Sequence, residues 1–238
     1  MIPIRDDIPT ARAPFVTWLL IVANIAVFLH ERSLPAAQLD VLIARYALVP
    51  ARLTHGGGSI TAFLSGGILP IFSAMFLHGG WLHLIGNLWS LWLFGDNIED
   101  RIGHVRFLVF YLTVGFLAGA LHVFIQPGSE LPTIGASGAV AGVMGAYFLL
   151  FPTAWVTVLI PICFLPLFVR LPAALYLLIW IAMQIAGGYN TLAAGGATEV
   201  GGIAFWAHVG GFGAGMLFIG RFTAARRRRT RLQDTPAS

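Results

Sequence analysis

The chain has 238 residues, of which 58% are hydrophobic and only 10% charged. Soluble domains carry about 25% charged residues. The composition therefore excludes an ordinary water-soluble globular protein and indicates a polytopic membrane protein, with spans of about 20 residues each. The net charge of +4 is carried by arginine alone, and Arg221, Arg226, Arg227, Arg228, Arg229 and Arg231 crowd the C-terminus. Such a run directly after an apolar segment reads as an anchor at a cytoplasmic lipid face. It is too short to argue for a nucleic-acid partner, and none is expected. The single cysteine, Cys163, allows no intramolecular disulfide and no cysteine metal cluster.

In chain order, residues 1–13 hold Arg5, Asp6, Asp7 and Arg12 but none of the features of a cleaved signal peptide. They are expected to form a cytoplasmic tail. Apolar runs and their breakers then predict six helical spans within residues 14–220. The first runs from Pro14 to His30. The second covers Gly80 to Asn97. The third, Val105 to Ile125, stops at Gln126-Pro127-Gly128. The fourth runs from Ser137 to Phe151 and stops at Pro152. The fifth is placed over Leu171 to Gly187, and the sixth over Ile203 to Gly220.

Two stretches are less regular. Residues 31–79 are too apolar for a solvated loop, and Ile60–Leu64 and Ile68–Phe76 are expected in or on the bilayer. Val156–Val169 is apolar but contains Pro161 and Pro166, which predicts a re-entrant or interfacial piece, with two extra spans as the alternative. The expected class is thus all-α, a six-helix membrane bundle with a long membrane-associated first loop and a basic cytoplasmic tail over residues 221–238. Eleven arginines on one proposed side against three on the other predict both termini inside.

Polar side chains are costly at membrane depth and usually face a bundle interior or a wet cavity. This topology brings Ser137, His208, His83, Asn87 and His78 from three spans to similar depth near the outer face. His83 and Asn87 are four apart and share a helix face. Gly138 and Gly142, and Gly211 and Gly215, form small-xxx-small pairs that let backbones approach closely. That closeness is what a short serine needs to reach an imidazole. His208 is placed to act as base to Ser137. The Ser137 amide, in the first turn of its helix, lacks an intrahelical partner, and His83 and Asn87 add side-chain donors for an oxyanion.

Each element alone has an ordinary structural reading as a packing or interhelical hydrogen-bonding residue; their joint placement favours a dyad. No Asp or Glu lies in the fourth or sixth span to complete a triad. His30-Glu31 is the only His-Glu pair, with Leu34 where a zinc protease would need its second histidine. No carboxylate or thiolate completes a metal set with His78, His83 and His208. No metal and no cofactor are expected. A small transporter is the competing class, but it would more often place its polar residues at mid-membrane.

Three motifs carry a resemblance. Gly135-Ala136-Ser137-Gly138, the run from His78 through His83 to Asn87, and Ala207-His208-Val209-Gly210-Gly211 together resemble the rhomboid intramembrane serine proteases, in the same order over about Pro14 to Gly220. The resemblance implies Ser137 as nucleophile, His208 as general base, and His83, Asn87 and the Ser137 amide as oxyanion hole. It implies Gly135 shaping the loop before the serine and His78 supporting the site mouth. Glu99 and Arg101 match a structural Glu-x-Arg. It further implies single-pass membrane proteins as substrates, cleaved in or beside their transmembrane segment, in a bacterial inner membrane. Gating is expected from the fifth span or the Gly187–Gly202 connector. Many members carry an aromatic residue four after the serine, on the histidine ring. Ala141 stands there instead, and Phe205 or Trp206 is expected to substitute.

Overall fold

A computed structural model describes residues 1–55, 68–162, 165–193 and 204–233. The elements follow in order: β1 (Ile2–Arg5), α1 (Phe15–Ser33), α2 (Ala36–Tyr46), α3 (Pro50–His55), α4 (Leu69–Ser73) continued by a 3-10 turn over Ala74–Phe76, α5 (Trp81–Ile102), α6 (His104–Ile125), α7 (Ser137–Leu150), β2 (Trp155–Ile162), β3 (Leu165–Pro172), α8 (Ala173–Ala193) and α9 (Phe205–Gln233). The fold is mostly helical, as expected. Helices α1, α6 and α8 are long and apolar enough to cross a membrane; α4 with its turn and α5 make a fourth span if that pair, bent by 95°, is one. The chain is a multi-pass membrane protein.

The local causes are plain. Gly103, at φ 89°, is both C-cap of α5 and N-cap of α6. Its amide donates to the Glu99 carbonyl at 2.7 Å, and only glycine takes that backbone region without strain. One residue therefore reverses the chain between two long helices. The N-terminus of α1 is capped from a distance. The Glu99 carboxylate accepts from the Val16 amide (2.8 Å), the Thr17 amide (2.7 Å) and the Thr17 hydroxyl (2.7 Å). Free amides and a partial positive charge at a helix start favour an anion there. His104 Nδ1 meets the same carboxylate. Glu99 is thus structural, as the resemblance implies.

Helix α7 is the centre of the bundle, with every residue from Gly138 to Tyr147 buried. Around it pack Phe94 of α5, Phe107, Phe110, Tyr111 and Val114 of α6, Leu177 of α8 and Phe212 of α9. Within Ile68–Phe76, Ile71 and Ala74 are buried, packed with Leu48, Phe116 and Val123. Ile60–Leu64, Cys163 and most of the Gly187–Gly202 connector lie outside the described residues.

Three findings add to the sequence reading or correct it. The stretch Val156–Val169, expected as a re-entrant or interfacial piece with two extra helical spans as the alternative, is not helical. It is a β-hairpin, with Trp155 opposite Pro172 and Ile162 opposite Leu165. Within the N-terminal tail, β1 adds to the hairpin as a third antiparallel strand, order β1-β2-β3. Asp6 then accepts from Asn97 Nδ2 (2.8 Å) and Tyr147 Oη (2.5 Å), and Asp7 from the Trp155 amide (2.8 Å). The last helix runs through the basic region to Gln233 rather than ending at Gly220.

Candidate active site

The site is built where α7 and α9 cross. A Cβ placed on Gly211 would lie 1.9 Å from the Gly138 carbonyl oxygen, and one on Gly215 1.9 Å from that of Gly142. One on Gly145 would lie 2.1 Å from the Phe212 carbonyl oxygen. The two backbones are in contact, so a methyl group at any of these points has no room. Small residues at such spacing allow this approach, and it sets Ala207, the residue before His208, against Gly138, the residue after Ser137.

Ser137 is the first residue of α7. The first helical bond at this end runs from the Val140 amide to the Ala136 carbonyl, at 3.0 Å. The Ser137 amide precedes it and belongs to the orphan donors of a helix start. Gly135, at φ 126°, turns the chain just before the serine. Its amide is held by the Ala74 carbonyl at 2.8 Å. A Cβ at Gly135 would lie 2.6 Å from His83 Nε2 and 3.6 Å from Asn87 Nδ2. Both the turn and the approach of these two side chains require glycine at 135.

The facing helix α5 supplies those two groups from one face. Asn87 is 6% exposed, and its Nδ2 is buried without a hydrogen-bond partner. Among the described residues this donor is unpaired, which is expensive when buried, and it lies beside the loop that precedes Ser137. His83 is half-buried and lies edge-on to His78, ring centroids 5.2 Å apart. His78 is buried; its amide lies 3.3 Å from both carboxylate oxygens of Glu31, and its Nδ1 lies 3.3 Å from the Phe76 carbonyl. It supports His83 rather than the serine.

Ser137 also lines a cavity of about 30 Å³ walled by Gly135, Gly138, Ala204 and Ala207, room enough for a water. Among the described residues no hydrogen bond joins the Ser137 hydroxyl to His208. Catalytic hydrogen bonds are often open in an empty site and tighten with substrate.

The sequence reading missed what holds the histidine. His208 Nδ1 lies 2.7 Å from Gln184 Oε1. The ring of Trp180 packs against the imidazole at 5.8 Å between centroids, 31° apart. Both come from α8. Phe205 and Trp206, expected on the histidine, instead pack on Gly187 and Gly188 of α8. They meet α8 about one turn beyond Gln184, the residue that meets His208. Gln184 was visible in sequence as an amide inside an apolar span, and Trp180 stands four residues earlier on the same face.

The profile of the Rhomboid domain matches residues 65–224, more than half of the chain. The chain belongs to the rhomboid family. It is 28% identical to RHOMBOID-like protein 1 of Arabidopsis thaliana over 231 residues, covering 86% of this chain and 54% of that protein. It is 28% identical to the mitochondrial Rhomboid protein 1 of Saccharomyces cerevisiae over 171 residues, 69% of this chain and 45% of the relative. It is 38% identical to the rhomboid protease GluP of Bacillus subtilis over 76 residues, 32% of this chain and 14% of the relative. The chain thus spans about half or less of the length of these relatives.

Proposed function

We propose that this chain is an intramembrane serine endopeptidase that cleaves single-span membrane proteins in or next to their transmembrane segment, through Ser137 and His208. The observation that carries the reading is the unpaired Asn87 Nδ2, buried beside the loop that delivers Ser137. The buried Asn24 and Asn97 each leave only an oxygen unpartnered and donate through Nδ2, to the Leu20 carbonyl and to Asp6; in Asn87 it is the donor that is left over, and an oxyanion donor must keep its hydrogen free for the reaction. Its relatives include a protein named as a rhomboid protease, which favours the same chemistry.

In this mechanism the Ser137 hydroxyl attacks the scissile carbonyl as His208 Nε2 takes its proton. The Ser137 amide, His83 and Asn87 Nδ2 donate to the oxyanion. Collapse breaks the C–N bond, the imidazolium returns its proton to the leaving amine, and an acyl-serine remains. A water deprotonated by His208 adds to the acyl carbon; collapse breaks the C–O bond and the imidazolium returns the proton to the serine oxygen. No metal or cofactor enters these steps.

The depth of the serine follows from helix length. The 14 residues of α7 span about 21 Å, less than the roughly 30 Å of a hydrocarbon core. The proposal puts Ser137 at the recessed end of this short helix, with the substrate helix entering sideways from lipid. The same proposal assigns six spans from the apolar runs, both termini in the cytoplasm from the arginine distribution, and a bacterial inner membrane. The test is cleavage of a model single-span substrate by purified protein in detergent. Wild type should cleave; Ser137→Ala and His208→Ala should not. A wild type that never cleaves, or an alanine variant that cleaves equally, overturns the reading.

A further inference from the structure

We infer that Gln184 is the positioning residue for the general base: it fixes which nitrogen of His208 carries the proton, and it does so from α8. The inference rests on the dyad proposed above and deepens it.

Gln184 sits within the apolar helix α8, where an unpaired amide would be costly. Both ends of its side chain are used. Nε2 lies 3.4 Å from the Trp180 carbonyl, one turn back, and Oε1 lies 2.7 Å from His208 Nδ1. A backbone carbonyl only accepts, so the atom facing it is the amide nitrogen. The oxygen is then the atom facing the histidine, and an amide oxygen also only accepts. Nδ1 must therefore carry the ring proton. A neutral imidazole has a single N–H, which leaves the lone pair on Nε2. That tautomer is the one a general base requires. The amide orientation and the tautomer follow from one donor-acceptor chain: Nδ1–H to Oε1, Nε2–H to the Trp180 carbonyl.

The Trp180 ring adds the second restraint by packing on the imidazole from the same helix face, and it also lies 6.1 Å from Phe212 of α9. Helix α7 contributes no ring here, because Ala141 is the residue one turn below the serine. The orienting pair has moved to α8. The orienting group is also neutral. A triad carboxylate would stabilise the imidazolium by charge, whereas an amide offers only its dipole.

A residue that merely ties α8 to α9 would affect stability and nothing else, so the test reads chemistry. Wild type, Gln184→Leu, Gln184→Glu and Ser137→Ala are compared in detergent against a single-span substrate. Gln184→Leu should lower kcat at least tenfold with KM unchanged within twofold. Gln184→Glu should recover part of that loss and move the acidic limb of kcat/KM to higher pH, since a carboxylate on Nδ1 favours the charged ring. Wild-type kcat and pH profile in Gln184→Leu would overturn the inference. If that variant does not fold, 15N-histidine spectra of the wild type decide: His208 protonated at Nδ1 is expected, and protonation at Nε2 overturns it. The spectrum does not depend on turnover, so a wild type that carries the Nδ1 proton but never cleaves refutes the protease reading and leaves the hydrogen-bond assignment standing.

Discussion

The two ends of the central bundle treat their polar groups in opposite ways. At the Glu99 end, one buried carboxylate takes the amides of Val16 and Thr17, the Thr17 hydroxyl and His104. Asp6 ties Asn97 and Tyr147 to the N-terminal strand. At the Ser137 end, among the described residues, Asn87 Nδ2 has no partner and the serine hydroxyl makes no bond to His208, although the backbones of α7 and α9 touch. The Glu99 end spends its carboxylates on holding helices, and only Asn97 Oδ1 among the groups just named is left there without a partner among the described residues. The open end keeps donors free at a cost in stability, which is the usual mark of a site prepared for a charge that develops only during reaction.

This contrast can be broken by substitution. The largest effect is expected where the backbones meet. Gly211→Ala places a methyl 1.9 Å from the Gly138 oxygen and should cost more than about 4 kcal/mol, abolishing both folding in mild detergent and cleavage. Gly213→Ala, on the same helix with nothing within 4 Å, should be close to neutral by thermal denaturation. Equal behaviour of the two would remove the close-approach account.

Next comes Asn87→Ala. Loss of one oxyanion donor should lower kcat by about 10²–10³. The melting temperature should hold or rise, because the deleted donor has no partner in the resting protein. A large fall in stability would mean that Asn87 is an ordinary packing residue. Glu99→Ala should give the reverse pattern. Stability should fall by on the order of 3 kcal/mol as the α1 amides lose their acceptor, while the protein that remains folded keeps most of its kcat.

The smallest effect belongs to Asp6. Burial raises its pKa above the ordinary carboxylate value, against the lowering effect of the Tyr147 hydrogen bond. Protonation is thus favoured in the folded state. The stability it confers is complete below the ordinary aspartate range and is lost as pH rises through the raised folded value. Asp6→Asn should flatten that part of a stability-against-pH curve, and an unchanged slope would assign the dependence elsewhere.

Much of this arrangement was legible in the residues. Span positions followed from apolar runs bounded by Gly and Pro, with α6 and α7 placed to within a residue at each end. Helix α5 runs five residues past the expected end at Asn97 because Glu99 and its neighbours, polar as they are, cap α1 and close against Gly103. Hydropathy alone stops at the first polar cluster. The hairpin was hidden because Pro161 and Pro166 were read as helix breakers. The alternation in Trp155-Val156-Thr157-Val158, with both valines fully buried and the tryptophan 44% exposed, is the period-2 signal of a strand.

The candidate site divides in the same way. Ser137, His208, His83 and Asn87 could be gathered from depth and spacing because each is polar in an apolar span. The partner of the imidazole could not, since it depends on how α8 leans on α9. Phe205 and Trp206 are near His208 in sequence, but Trp180 and Gln184 are near it in space.

The central claim is that Ser137 is a nucleophile activated within the bundle. The most direct measurement is mass spectrometry of the purified protein after reaction with a fluorophosphonate. A single adduct on the peptide containing Ser137, absent after His208→Ala, is the predicted result. No adduct on the folded wild type, or an adduct on another serine that persists in Ser137→Ala, would contradict it.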